Sequence, residues 1–550
     1  MVSDPGTLGG AVYSPTSVAS PGKLKKEAGI IGLLYAGVGG MIGSGWLFGP
    51  LNAAQQAGPL SLLAWVIGGA AVLSLALVYA ELATMFPRSG VLVHMSHISH
   101  GRLVGRVWSW ILILAYVTIA PVEAIAILSY AEAYVPGIIE PSTHVLTSKG
   151  MVWAFVLLAI MVGLNFLAIR LVLAFNSTAT WIKLFIPVGT AVVLLTSSFH
   201  AENLTVPHES AEWHGIFTAI STAGIFFSLF GFRQAIDLAG ETSNPGRNLP
   251  IAVIGTVIIG TVLYSLLQFA FIAAIDPALI AQGGWTKLTF AHSSGPFAAL
   301  VMAVGATWWA VVLYADAVVS PAACGFIYTT TSSRIIMASG ETGDLPRYLA
   351  LINRNGVPWV ALIASFLLGA IFFFPFPSWH KLVGYISSIT VLSYGIGPIL
   401  LLRLRLTLPD LPRAFTVKGA WFIAPIAFLF SNFIILWSGY DTVRFLFLLL
   451  TIFACIYFAY FIFVARGNFD DLDIAHALWL LPYFGGMFLI SMLGPKDLGG
   501  EGLMNFETAS LATIALSIVI LYIALRSTLP EERLVGEIRR VAEAPSAASH

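Results

Sequence analysis

The chain has 550 residues, of which 58% are hydrophobic and 10% are charged, against about 25% charged in an average soluble domain. The mean hydropathy is +0.88, and 27 basic residues balance 27 acidic ones. These values exclude a soluble enzyme, a nucleic-acid binder and a disordered scaffold, and two cysteines, Cys324 and Cys455, exclude a disulfide framework or a cysteine-rich metal site.

The chain opens on Pro, Gly, Ser and Thr, without the basic and apolar regions of a signal peptide. Residues 1–27 are expected to form a disordered cytoplasmic tail. A helix needs about 20 apolar residues to cross roughly 30 Å of hydrocarbon. Fourteen runs approach or pass that length: 28–54, 60–86, 107–135, 151–169, 173–198, 214–240, 250–275, 297–331, 358–376, 380–403, 420–438, 445–465, 475–494 and 508–526. An all-α polytopic membrane protein with 14 transmembrane helices is the expected fold class, because lipid offers no partner to a free backbone N–H or C=O. With the N-terminus in the cytoplasm, twenty Lys and Arg fall on cytoplasmic segments and five on outside loops. The remaining two, Lys183 and Arg233, lie inside spans. That asymmetry orients both termini inward. The tail over 527–550 holds a charged stretch, Glu531 to Glu543, expected to be helical. Both tails read as dispensable to the core.

The first span carries Gly39-Gly40-Met41-Ile42-Gly43-Ser44-Gly45-Trp46 near its middle. Each glycine costs a helix about 1 kcal/mol relative to alanine. Unwinding is tolerated at mid-membrane only around a cavity or inside protein. It leaves free N–H groups at the start of a half-helix, a ready seat for a carboxylate. The competing reading is close packing through small residues. The sixth span has a second expected interruption, Phe226-Phe227-Ser228-Leu229-Phe230-Gly231-Phe232-Arg233. Glu241 and the stop Asn244-Pro245-Gly246-Arg247-Asn248-Leu249-Pro250 follow it. Paired interruptions in two halves point to a transporter site. The two spans are five apart, so two five-helix units have opposite orientations.

Five segments now share one pattern: Gly43-Ser44-Gly45; Ala80-Glu81-Leu82-Ala83 with Phe86-Pro87-Arg88-Ser89-Gly90; Phe227 to Phe232; Glu241 to Pro250; and Ser332-Ser333-Arg334 with Gly343-Asp344-Leu345-Pro346. In this order they resemble the amino acid–polyamine–organocation permeases, over residues from about 28 to 440. The resemblance implies a leucine-transporter-type fold. Spans 1–5 (28–198) and 6–10 (199–404) are then inverted repeats, with spans 1 and 6 unwound about one central site. Four peripheral helices follow over 405–526. It further implies that a substrate carboxylate meets the N–H groups of Gly43, Ser44 and Gly45. The substrate ammonium meets carbonyls of Ile42, Phe227, Ser228 and Phe230, and Trp46, Phe227 and Phe230 close over it.

Lys183 lies about ten residues into the fifth span, roughly 15 Å deep at 1.5 Å per residue. A lysine at that depth costs about 2.5–3.5 kcal/mol on insertion scales. It resembles the lysine of proton-coupled permeases whose ammonium replaces a sodium ion between spans 1, 5 and 8. The alternative is a structural ammonium that only satisfies carbonyls of the first span. Glu123 in the third span and Asp316 in the eighth are candidates for a proton relay or for satisfied structural carboxyls. Arg233 and Asp237, one turn apart, are expected either to form a buried pair or to leave Arg233 facing a substrate side chain or Glu123. The family pattern commonly has an acidic residue at the place of Arg233, so this chain points away from a cationic substrate and toward an acidic or neutral one. His94, His97 and His100 recur at three-residue spacing with no carboxylate or cysteine beside them; an interfacial face is expected rather than a metal site.

The expected function is import of an amino acid across the cell membrane by alternating access, coupled to protons through Lys183. An exchanger or an uncoupled facilitator with a structural Lys183 is the alternative, ahead of a nutrient sensor or a polyamine transporter. No cofactor, metal, nucleic acid or obligatory protein partner is expected. No nucleotide-binding Gly-rich Lys-Ser/Thr motif is present for primary transport.

Overall fold

The computed structural model describes residues 28–543 apart from Ser89, Pro141 and the segments 167–168, 206–212, 291–294, 354–355 and 466–467. The expected tail over 1–27 and the last residues of the tail over 527–550 lie outside the described residues. Among the described residues every regular element is a helix, and backbone pairing of the β type is confined to two isolated bridges, Ala28 with Thr242 and Ile139 with Leu146.

The expected first span is two helices, α1 (Ile30–Met41) and α2 (Gly45–Ala57), followed by α3 (Ser61–Met85) and the short α4 (Val91–His100). The third is α5 (Arg102–Val117) and α6 (Ile119–Ala131), joined at Thr118, whose hydroxyl donates back to the Leu114 carbonyl at 2.9 Å. Then come α7 (Ser148–Leu164), capped by the Thr147 side chain, and α8 (Ile169–Ser197). The sixth is split into α9 (His214–Thr222), α10 (Ile225–Leu229) and α11 (Arg233–Asp237). Asn244 and Pro245 start α12 (Pro245–Ala274). The short α13 (Pro277–Ala281) and α14 (Pro296–Ala303) lead into α15 (Thr307–Thr342), which outruns its expected end. The remainder is α16 (Trp359–Ile371), α17 (Trp379–Tyr394), α18 (Ile396–Thr407), α19 (Ala420–Trp437), α20 (Tyr440–Tyr460), α21 (Ile474–Ala477), α22 (Leu480–Leu493), α23 (Phe506–Arg526) and α24 (Glu531–Glu543). Among the described residues, ten helical stretches are long and apolar enough to cross a membrane, or up to eleven when the bent pair in the sixth span counts as one. The apolar helices α1, α7 and α16 are shorter than a full crossing.

The apolar stretches of α5–α6 and α17–α18 are wholly buried, whereas only 17% of that in α20 is. The outer helices show Leu448, Ile452, Ile456, Leu511 and Ile518 to the surroundings, which suits a lipid solvent and not water. Helix α1 packs on α8, α11, α12 and α15 and so sits inside the bundle.

Several segments that carry the family resemblance are ties between helices. Glu81, fully buried on α3, holds Arg405 at 2.7 and 3.1 Å, Arg413 at 3.3 Å and the Val417 N–H at 2.8 Å. Glu241 pairs with Arg334 at 3.2 Å, and its carbonyl accepts the Ala28 N–H at 3.0 Å. Asp344, just past α15, meets His97 Nε2 at 2.8 Å and accepts from the hydroxyls of Ser109 at 2.6 Å and Thr342 at 2.9 Å. Burial pushes the Asp344 carboxyl up, but His97, Ser109 and Arg106 outweigh it and hold the group below the ordinary carboxylate range. A group so depressed stabilises the fold at neutral pH and loses that contribution as pH falls through its folded pKa. Asp344→Asn is therefore expected to lower the unfolding temperature at pH 7. Its deficit against the parent should shrink below about pH 4, where the carboxyl begins to protonate in the unfolded chain. Thermal unfolding of detergent-solubilised protein at both pH values checks this.

The three histidines are not an exposed interfacial face. His97 holds Asp344, and buried His100 contacts Ser99 Oγ at 2.8 Å and the Ala524 carbonyl at 3.0 Å. Among the described residues no group of three metal-ligating side chains converges. The expected helix over Glu531–Glu543 is present and docked. The Leu529 N–H donates to the Ser99 carbonyl at 2.9 Å, Arg533 pairs with Asp473 at 2.8 Å, and Arg88 bonds the Val541 carbonyl. That part of the tail is a strap on α4 and not a loose appendage.

Candidate functional site

The break in the first span covers Ile42, Gly43 and Ser44, with Ile42 in an extended conformation (φ −86°, ψ 90°). It frees the last carbonyls of α1 and the first N–H groups of α2. Three of those carbonyls, and the Ser44 N–H just ahead of α2, find partners on other helices. Lys183 Nζ donates to the Gly39 carbonyl at 2.7 Å, Tyr264 OH to the Met41 carbonyl at 3.0 Å, and the Cys324 thiol to the Gly40 carbonyl at 3.5 Å. On the other side the Ser44 N–H donates to Glu123 Oε2 at 2.8 Å. The ammonium thus stands at the C-terminal end of one half-helix and the carboxylate at the N-terminal end of the next. Each is the sign that end favours. Both side chains are fully buried. Trp379 Nε1 donates to Ser44 Oγ at 2.8 Å and fixes the break from α17.

Glu123 therefore occupies an N–H that the resemblance assigns to a substrate carboxylate. Its second oxygen, Oε1, has no hydrogen-bond partner. Asp316 accepts from Ser320 Oγ at 2.8 and 2.9 Å within α15. Trp46 is buried, its ring 5.5 Å from that of Phe297.

The sixth span bends earlier than expected. The change of direction, 56°, falls at Ala223 and Gly224, between α9 and α10. Gly224 has φ +93°, open to glycine and strained for other residues. Residues 226–229, part of the expected interruption, are helical, and the Ser228 N–H and hydroxyl both bond the Gly224 carbonyl, at 2.9 and 2.7 Å. Within the expected interruption only Phe230–Phe232 departs from α geometry, as one 3-10 turn. The two broken spans pack closely around it. A Cβ on Gly45 would stand 2.1 Å from Ser228 Oγ, and one on Gly231 would stand 2.5 Å from Met41 Cα. The glycines serve both readings of the sequence, close packing and an opened helix, at adjacent positions.

Arg233 forms no pair with Asp237. It is fully buried and takes part in none of the ion pairs among the described residues. Asp237 instead accepts from Tyr116 OH at 2.6 Å. Tyr116 lies between them, so one turn of separation on so short a helix does not bring the charges together. Tyr116, Tyr264, Cys324 and Trp379 were invisible to sequence reasoning. Each stands on a different distant helix, and nothing in its local pattern marks it.

A family model described as amino acid permease matches residues 29–492. The chain belongs to the amino acid permease family. The resemblance to amino acid–polyamine–organocation permeases holds. A permease moves its substrate without converting it, so this family member is a transporter and not an enzyme. The permease is 37% identical to the glutamate/serine transporter AimA of Bacillus subtilis (strain 168) over 522 residues, which covers 93% of this chain and 96% of that one. It is 33% identical to the aspartate-proton symporter of the same organism over 520 residues, 94% and 99% of the two chains. It is 28% identical to the branched-chain amino acid permease BcaP of that organism over 455 residues, 80% and 93%.

Proposed function

We propose that this permease imports an amino acid across the cell membrane by alternating access and couples import to proton entry through Lys183. The break in the first span carries the reading. One half-helix end holds an ammonium and the next holds a carboxylate, the two signs that a zwitterionic amino acid itself presents. The substrate site comprises Ile42, Gly43, Ser44, Gly45, Phe227, Ser228 and Phe230, with Trp46, Phe227 and Phe230 as closing side chains. Glu123 is a placeholder on the Ser44 N–H. Protonation weakens its hold there and lets the substrate carboxylate take the seat. Lys183 is charged while it grips the Gly39 carbonyl and neutral once its proton has moved on. Of the relatives described above, one is named for glutamate and serine and one for aspartate and a proton.

The same reading places fourteen spans in the membrane. These are the ten long stretches, the bent sixth span and the shorter α1, α7 and α16, with α1 and α2 sharing the first crossing. Segments 28–198 and 199–404 form the inverted repeats, 405–526 is peripheral, and both termini are cytoplasmic. Exchange with a permanently charged Lys183 is the second reading, supported by the short bond from Lys183 to Gly39.

Uptake into sodium-free proteoliposomes tests the proposal. A labelled amino acid mixture is expected to enter faster under an inward proton gradient. Stimulation by preloaded amino acid and not by the gradient would establish the exchanger.

A further inference from the structure

Arg233 is a buried cation that forms no ion pair among the described residues. It opens α11 directly after the 3-10 turn at Phe230–Phe232, where the two broken spans cross. Its guanidinium carbon lies 3.8 Å from the Tyr116 ring centroid, 4.5 Å from Phe230 and 4.8 Å from Tyr328. One nitrogen, Nη2, reaches the Ala115 carbonyl at 3.4 Å, while Nε and Nη1 have no hydrogen-bond partner among the described residues. Aromatic faces compensate only part of such a charge. A fully buried guanidinium with two open donors lacks an acceptor that matches its fork, and a carboxylate matches it bidentately. Phe230 is shared. It packs on Arg233, and it belongs to the proposed substrate site.

We propose that Arg233 reads the side-chain carboxylate of a dicarboxylic amino acid, whose backbone groups sit at the break in the first span. The inference rests on the amino acid reading above and narrows it to an acidic substrate class. A neutral amino acid leaves the two guanidinium donors unused, and a cationic one meets repulsion.

The test compares glutamate, aspartate, glutamine and serine as competitors and as labelled substrates in proteoliposomes, for the parent, Arg233→Gln and Arg233→Lys. In the parent, glutamate is expected to compete at least about tenfold better than glutamine, the ratio a lost charged hydrogen bond produces. This comparison needs no folded variant. Arg233→Gln is expected to raise the KM for glutamate and aspartate at least about tenfold and to leave serine within about threefold, with Arg233→Lys between. Equal handling of glutamate and glutamine by the parent would overturn the role of Arg233 while the amino acid reading stands. So would equal loss of glutamate and serine in a monodisperse Arg233→Gln protein. Absence of any amino acid transport in the parent would overturn the underlying reading as well.

Discussion

Lys183→Ala is expected to abolish accumulation of amino acid against its gradient while leaving exchange measurable. One proton carried per substrate down a one-unit pH gradient supports up to about tenfold accumulation, because one pH unit is worth about 1.4 kcal/mol. The variant should reach an inside-to-outside ratio of about one, the value for a carrier with no coupled proton. Lys183 is fully buried and its ammonium donates to Gly39, the carbonyl that ends the first half of the broken span. On the proposed function, Lys183 biases whether the two halves stay apart, and its proton decides whether it can. Alanine removes both the charge and the donor. Steady-state accumulation with and without the gradient is the check. Tenfold accumulation in the variant would assign the proton to another group.

Glu81→Ala is expected to destabilise the fold more than any other single change outside the broken spans. The side chain is fully buried and serves Arg405, Arg413 and the Val417 N–H together. Removing one member of a buried charged cluster costs about 3–5 kcal/mol, since the remaining charges stay behind uncompensated. Here two arginines and a backbone donor are stranded between α3, α18 and the loop before α19. Thermal unfolding in detergent should fall by several degrees or the protein should fail to purify as a monodisperse species. Glu81→Gln keeps an acceptor for Val417 and should fall between. A variant as stable as the parent would show that the cluster is solvated in practice.

Much of this was legible in the sequence, and the exceptions share a cause. The apolar runs fall on helices because lipid permits little else. Gly43-Ser44-Gly45 does mark a break, because three weak helix formers in succession have no compensating local contacts. Lys183 was legible as an outlier of depth alone. The bend in the sixth span was misplaced because Gly231 and Gly224 look alike in sequence. Gly231 is small so that Met41 can approach, whereas Gly224 takes a left-handed conformation. The Arg233–Asp237 pair was the natural reading of i, i+4 spacing and failed because Tyr116, from α5, satisfies Asp237 first. Glu123 was visible as a carboxyl in a membrane, but its seat on Ser44 depends on how two helices far apart in sequence are placed. The resemblance motifs named the right segments without revealing that Glu81, Glu241 and Asp344 are inter-helix ties.

The central claim is that amino acid and proton cross together through this protein. A pH-sensitive dye trapped in the lumen of proteoliposomes measures this directly. External amino acid is added with no imposed proton gradient and with potassium and valinomycin clamping the membrane potential. The account predicts that the lumen acidifies on addition in the parent and stays constant with Lys183→Ala. Amino acid entering the parent with no change in lumen pH would contradict it.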